Sequence, residues 1–195
     1  MHDKIILIGC SIFQEEITQI IEERKPGLTI DWQEVGLHDN IELLEETLDS
    51  RLEAARQSGA KIGFLYGWAC LPEMKKFAKD RGVKYLPAKN CLAALVGDER
   101  LKELEQDRTL VASPGWVRKM WLGRAGTATG WTADDYRMQF GRYDRILVLD
   151  PGLKPLSDEE IINCFDLVQV PIETLACDLD HFKLAFNDLF EAVGR

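Results

Sequence analysis

Short apolar runs alternate with longer amphipathic segments along most of the chain. Lys4–Cys10 (KIILIGC) is a continuous apolar run, the pattern of a strand buried on both faces of a parallel sheet. Ser11 is placed to cap a helix over Ile12–Arg24, where Ile12, Phe13, Ile17, Ile20 and Ile21 recur at helical spacing. Pro26-Gly27 ends that helix, and Leu28–Leu37 alternates as a second strand. Asp39 or Asn40 opens a helix running to Ser58, with Leu43, Leu44, Leu48 and Leu52 on its apolar stripe and Gly59 as its stop.

The same alternation continues. Lys61–Tyr66 reads as a third strand, Leu71–Arg81 as a helix, and Val83–Leu86 as a fourth strand. Cys91–Gln106 is helical with a break near Gly97, Arg108–Ala112 is a fifth strand and Arg145–Asp150 a sixth. Ser157–Val168 and Leu179–Val193 read as the last two helices, separated by an extended piece near Pro171–Leu175. Strand–helix alternation predicts an α/β fold of one domain over residues 1–195, an open and mainly parallel sheet covered by helices on both faces. The least regular stretch is Ser113–Trp131 (SPGWVRKMWLGRAGTATGW), which holds three of the five tryptophans. An irregular excursion of this length in a compact domain reads as a lid or binding segment, with Trp116, Trp121 and Trp131 as candidate cofactor contacts.

Composition narrows the function classes. The chain has 195 residues, 46% of them hydrophobic, and a formal net charge of −9. That charge argues against nucleic-acid binding, which needs a basic surface against phosphates. No apolar run approaches the roughly 20 residues that span a bilayer. The N-terminus leads straight into a strand-like run without a basic segment and cleavage site, so a cytoplasmic protein with reduced cysteines is expected.

The candidate chemistry lies in the cysteines. Cys10 follows the first strand, Cys70 the third and Cys91 the fourth. In an open parallel sheet the carboxyl ends of the strands share one edge, where ligands bind, so three thiols far apart in sequence can meet there. Tyr66–Lys75 (YGWACLPEMK) reads as a strand turning through Gly67 into a helix, with Pro72 in its first turn. Cys70 at such a junction would have its thiolate stabilised by the helix N-terminus. His38 follows the second strand at the same edge and is a candidate fourth ligand. Tyr66, Lys89 and Asn90 flank the thiols, while Glu34 and Asp150 are further strand-end residues able to act as bases. Cys164 sits among Ile161, Ile162 and Phe165 in a helical pattern and reads as core filler, whereas Cys177 has no clear role.

The order of these features resembles domain-of-unknown-function family 1638, found in anaerobic archaea and bacteria. The matching stretches are LIGCSIFQEEI, VGLHDNIELLEETLDSRL, YGWAC, LPAKNCLAALVG and GRYDRILVLD. The resemblance points to Cys10, His38, Cys70 and Cys91, and this chain departs from the family pattern at Asn90, where the family usually has histidine. It implies companionship with corrinoid-dependent methyl-transfer systems, and hence corrinoid or methyltransferase proteins as partners.

Two chemistries suit the donor set. Cys10, Cys70 and Cys91 with His38 could hold zinc or an iron–sulfur cluster, because soft sulfur ligands select such metals over magnesium or calcium. A flat corrinoid could lie on the tryptophan-rich segment. Alternatively one cysteine acts without metal, racemase- or transferase-like, with catalytic candidates His38, Tyr66 and Cys70 on a small-molecule ligand. A non-catalytic accessory protein is the third class.

Overall fold

The computed structural model describes residues 4–24, 27–124 and 131–194. All strand pairings are parallel, as the alternation predicts, but the strands form two sheets rather than one. The chain correspondingly divides into two compact units, residues 1–95 with 179–195 and residues 96–178. The fourth strand is the reason for the break in the ladder. Only Lys84–Tyr85 pair there, after which Pro87 cannot donate to a sheet.

The first unit carries a sheet of order β2-β1-β3-β4. β1 (Ile5–Cys10) is buried along its whole length, pairing with β2 (Leu28–Gln33) and β3 (Lys61–Leu65), while β4 (Lys84–Tyr85) closes the edge. A tight 3-10 turn, Ser11–Phe13, precedes α1 (Gln14–Arg24), so Ser11 lies inside a turn rather than at the cap of a continuous helix. α2 (Ile41–Arg56) is capped by Asn40, whose side chain accepts from Leu43 N–H at 3.1 Å. Leu44, Leu48 and Leu52 are buried as expected, but Leu43 is 45% exposed: its position in the first turn rotates it off the stripe.

α9 (Asp180–Gly194) packs on β3 and β4. Phe182 stacks on Phe13 at 5.1 Å between ring centres. Gly63 in β3 makes the approach of α9 feasible, since a Cβ there would stand 2.6 Å from a Val193 methyl. α3 (Met74–Asp80) begins three residues later than its apolar pattern suggests, because Leu71–Glu73 form a turn with Glu73 at φ 60°. Pro72 therefore belongs to that turn and not to the helix.

In the second unit β5 (Thr109–Ala112), β6 (Arg145–Asp150) and β7 (Ile172–Ala176) form a sheet in that order. The long helix expected from Cys91 does break at Gly97, giving α4 (Cys91–Val96) and α5 (Asp98–Leu104). The irregular stretch holds more helix than its glycines suggest. α6 (Pro114–Trp116), capped by Ser113, runs into a π-helical segment at Val117–Leu122, and α7 (Ala133–Phe140) begins with a Thr132–Asp135 capping box. Residues 125–130 of the expected lid, and Pro26 of the expected helix stop, lie outside the described residues.

Arg118 fastens the π-helical segment to α8 (Asp158–Val168). It donates to Glu160 through Nε at 2.5 Å and Nη2 at 2.9 Å, and to the Lys154 and Pro155 carbonyls. Hydrogen bonding from Arg118, ahead of its charge, holds the Glu160 carboxyl down at about 2. The pair lies mostly out of solvent, with side chains 16% and 28% exposed, so it contributes more than a surface ion pair. Arg118→Ala should lower stability by about 1–3 kcal/mol, read by tryptophan fluorescence during thermal unfolding. In the native chain this contribution is present above the ordinary carboxylate range near 4.5 and fades as pH falls towards about 2. An Arg118→Ala midpoint equal to wild type at pH 7 would contradict it.

Candidate functional site

Three thiols of the first unit come together at the carboxyl ends of its strands, and backbone geometry explains how. Cys10 is the last residue of β1. The β1–β3 register ends at Gly9↔Leu65, so Tyr66 is the next position along, beside Cys10. From Tyr66 the chain runs antiparallel to no strand; instead it is strapped to the segment after β4. Trp68 N–H donates to the Ala88 carbonyl at 2.9 Å and Ala69 N–H to the Lys89 carbonyl at 2.8 Å. A Cβ at Gly67 would lie 2.5 Å from the Lys89 oxygen and 2.7 Å from the Ala88 oxygen, so only glycine permits this contact. Cys70 N–H then turns back to the Gly67 carbonyl at 3.1 Å. Cys91, the first residue of α4, follows the strapped Lys89, and Asn90 caps that helix by accepting from Ala93 N–H at 2.9 Å.

Cys70 and Cys91 are held as neutral thiols. Burial pushes Cys70 up to about 11 and Cys91 up to about 12 from an ordinary value of 9.0. Mutual repulsion adds to this: Cys10 raises Cys70, and both Cys70 and Cys10 raise Cys91. The helix-N-terminus effect expected at Cys70 does not operate, because α3 starts at Met74 and Cys70 lies in the preceding turn. Tyr66 is 2% exposed, and its hydroxyl is raised by burial first and then by Cys10, Cys70 and Asp31. That hydroxyl is buried with no hydrogen-bond partner among the described residues. None of the five cysteines is in a disulfide.

His38 lies in a 3-10 turn after β2 (Leu37–Asp39), its side chain 40% exposed and Nε2 3.7 Å from an Asp39 carboxylate oxygen. The charges acting on Cys70 and Cys91 come from the other thiols, and His38 is not among them. Among the described residues no three His, Cys, Asp or Glu side chains are placed so that they could hold one metal ion. The thiols are thus neighbours without being a preformed cage. Glu34 is exposed. Asp150, in the second unit, accepts from Gly152 N–H at 2.8 Å and so closes a turn.

The three tryptophans belong to the second unit. Trp121 is buried between Trp116 and Phe140, with ring centres 5.3 and 4.9 Å away. Trp131 is 46% exposed and meets Tyr136 edge-on. Cys164 is fully buried in that unit's core, as its helical pattern suggests, and Cys177 just follows β7.

Two polar residues next to the thiols escaped the sequence reading. Gln33 is buried, pairs in register with Cys10, and donates to the Asp31 carboxylate at 2.9 Å. Asp31 and Gln33 stand two apart at the carboxyl end of β2, a spacing that puts both on one face of a strand.

The family model described as "Protein of unknown function (DUF1638)" matches residues 32–185. The chain belongs to that family. His38, Cys70 and Cys91 fall within the matched residues, and Cys10 precedes them. No curated protein and no solved structure matches the chain. No helix among the described residues is long and apolar enough to cross a membrane.

Two outcomes follow for this family member. Gly67→Ala forces its Cβ into the Lys89 and Ala88 carbonyls, and should lower stability by about 1–3 kcal/mol while speeding alkylation of Cys70. A Gly67→Ala protein with unchanged midpoint and labelling rate would refute the role given to the strap. In the metal-free native chain, Cys70 and Cys91 should react with iodoacetamide at pH 7.5 about 100-fold or more slowly than free cysteine, since so little thiolate exists there. Their contribution to stability is whole below pH 9 and is lost as pH rises towards about 11 and 12, because unfolding releases the protons first. Peptide mapping of the alkylated cysteines against pH checks the rate.

Proposed function

We propose that the first unit holds a soft metal centre, zinc or an iron–sulfur cluster, on Cys10, Cys70 and Cys91. The observation that carries this reading is the convergence of three thiols from three strand exits, where burial and the neighbouring sulfurs hold Cys70 and Cys91 neutral. A metal-free nucleophile needs a depressed thiol pKa, and burial and mutual repulsion act here in the opposite sense. A soft cation reverses that balance, since it displaces protons from thiols that are otherwise held neutral.

The donor types fit such a group. Three sulfurs match zinc or a cluster with one open position, and the buried Tyr66 hydroxyl gives the site a polar group still awaiting a partner. Cys10, Cys70 and Cys91 would hold the metal, with His38 at the same sheet edge as the candidate fourth ligand. A zinc of this kind supplies Lewis acidity to a ligand at its open position, such as a substrate thiol. The chain's own part is to bring the sulfurs together, exclude water around them, and hold Cys91 on the capped start of α4. A place beside corrinoid-dependent methyl transfer rests on the family resemblance, with the exposed face of Trp131 as the surface open to a flat cofactor.

Metal analysis and an absorption spectrum of protein purified without oxygen test the reading. About one zinc with no colour, or several irons with broad visible absorption, is the expected result. Cys70→Ser should lose most of that metal. A wild-type protein that takes up neither zinc nor iron, even after anaerobic reconstitution, would reject the metal centre, and full metal content in Cys70→Ser would remove Cys70 from the ligand set.

A further inference from the structure

Tyr66 stands out because its position gives its hydroxyl nothing to do. The residue is 2% exposed and the hydroxyl has no hydrogen-bond partner among the described residues. Buried hydroxyls in native proteins are nearly always satisfied, and a phenylalanine would fill the same space without leaving a polar atom dry. The backbone acceptors closest along the chain are already engaged. Leu86 N–H donates to the Tyr66 carbonyl, Cys70 N–H to that of Gly67, and Trp68 and Ala69 to those of Ala88 and Lys89. The groups whose charge bears on the hydroxyl are first Cys10, one position beyond the Gly9↔Leu65 pair, and Cys70, four residues on through the strapped turn, and then Asp31, whose carboxylate already accepts from Gln33. A neutral thiol accepts a hydrogen bond weakly, whereas a metal-bound thiolate accepts one well.

We infer that Tyr66 is the hydrogen-bond donor of the thiol site, idle in the ligand-free chain and donating to the sulfur of Cys10 or Cys70 when a soft cation is held there. This rests on the metal reading above. Each thiol that becomes a ligand gives its proton to solvent, and Tyr66 keeps its own, so no oxidant or reductant enters. Tyr66 is thereby a positioning residue: it fixes the direction of a ligand sulfur and strengthens the site's hold, as outer hydrogen bonds do at other metal centres.

The inference makes one substitution act in opposite directions on the two forms of the protein. Tyr66→Phe removes an unsatisfied hydroxyl from the metal-free chain, whose unfolding midpoint should stay equal or rise. The same variant should bind zinc about tenfold more weakly, measured anaerobically by competition with a chromophoric chelator. The sulfur-to-metal absorption of its cobalt(II) form should shift. In wild-type protein labelled with 3-fluorotyrosine, the Tyr66 fluorine signal, assigned by its loss in Tyr66→Phe, should move on zinc addition. Equal zinc affinity in the two proteins, or an unmoved fluorine signal in a zinc-loaded wild type, overturns the role of Tyr66 and leaves the metal site standing. A wild type that binds neither zinc nor cobalt(II) overturns both.

Discussion

The first unit depends on one close contact between two backbones. The turn after β3 is tied to the segment after β4 by hydrogen bonds from Trp68 and Ala69, with no room for a side-chain carbon at Gly67. Neither strand exit is helical at this point, so the strap does what a longer β4 would otherwise do in a sheet. It carries Cys70 in from one side and Cys91 from the other, next to the end of β1. Removing room at Gly67 therefore touches three things together: the turn, the start of α4, and the partial burial of the thiols.

Desolvation dominates what this packing creates. It heads the causes acting on Tyr66, Cys70 and Cys91; repulsion between like groups comes second at Tyr66 and Cys91, while at Cys70 it follows a backbone hydrogen bond from Gly67 that pulls the other way. A set of acids crowded in this way is silent at neutral pH, because Tyr66, Cys70 and Cys91 all keep their protons. That silence separates the cluster from reactive cysteines, which gather positive charge around them. It gives the site a built-in preference for cations, because only added positive charge can ionise several of its members together.

Much of the fold was legible in the pattern of the chain, and the losses have identifiable physical causes. The apolar run before Cys10, the Asn40 cap and the Gly97 break all depend on local chemistry, and all appear in the structure. Pro72 misled because a proline suits a tight turn as well as a helix start, and the positive φ at Glu73 that decides between them leaves no trace in a glutamate. The π-helical segment was hidden because tryptophans and glycines interrupt the usual period, although Arg118 and Glu160, 42 residues apart, hold it in place. At the site, the placement of three cysteines at strand ends was readable, but the approach that joins two of them rests on a glycine whose neighbours come from another segment. Gln33 was missed since a glutamine at a strand end looks like a solvated residue until its pairing with Cys10 is known.

The route of the chain has a consequence for how the molecule is made. The first unit is written in two instalments, residues 1–95 and 179–195, with the whole of the second unit between them. Its β3 strand is covered by α9, through Gly63 and Val193, and Phe13 stacks on Phe182 of that helix. During synthesis the second unit, contiguous from 96 to 178, is complete while the cysteine-bearing sheet still lacks its last helix. At about 5–20 residues per second, the nascent sheet must wait several seconds with an apolar face uncovered. The interval is a window for aggregation, and one in which the thiols have yet to acquire their full shelter.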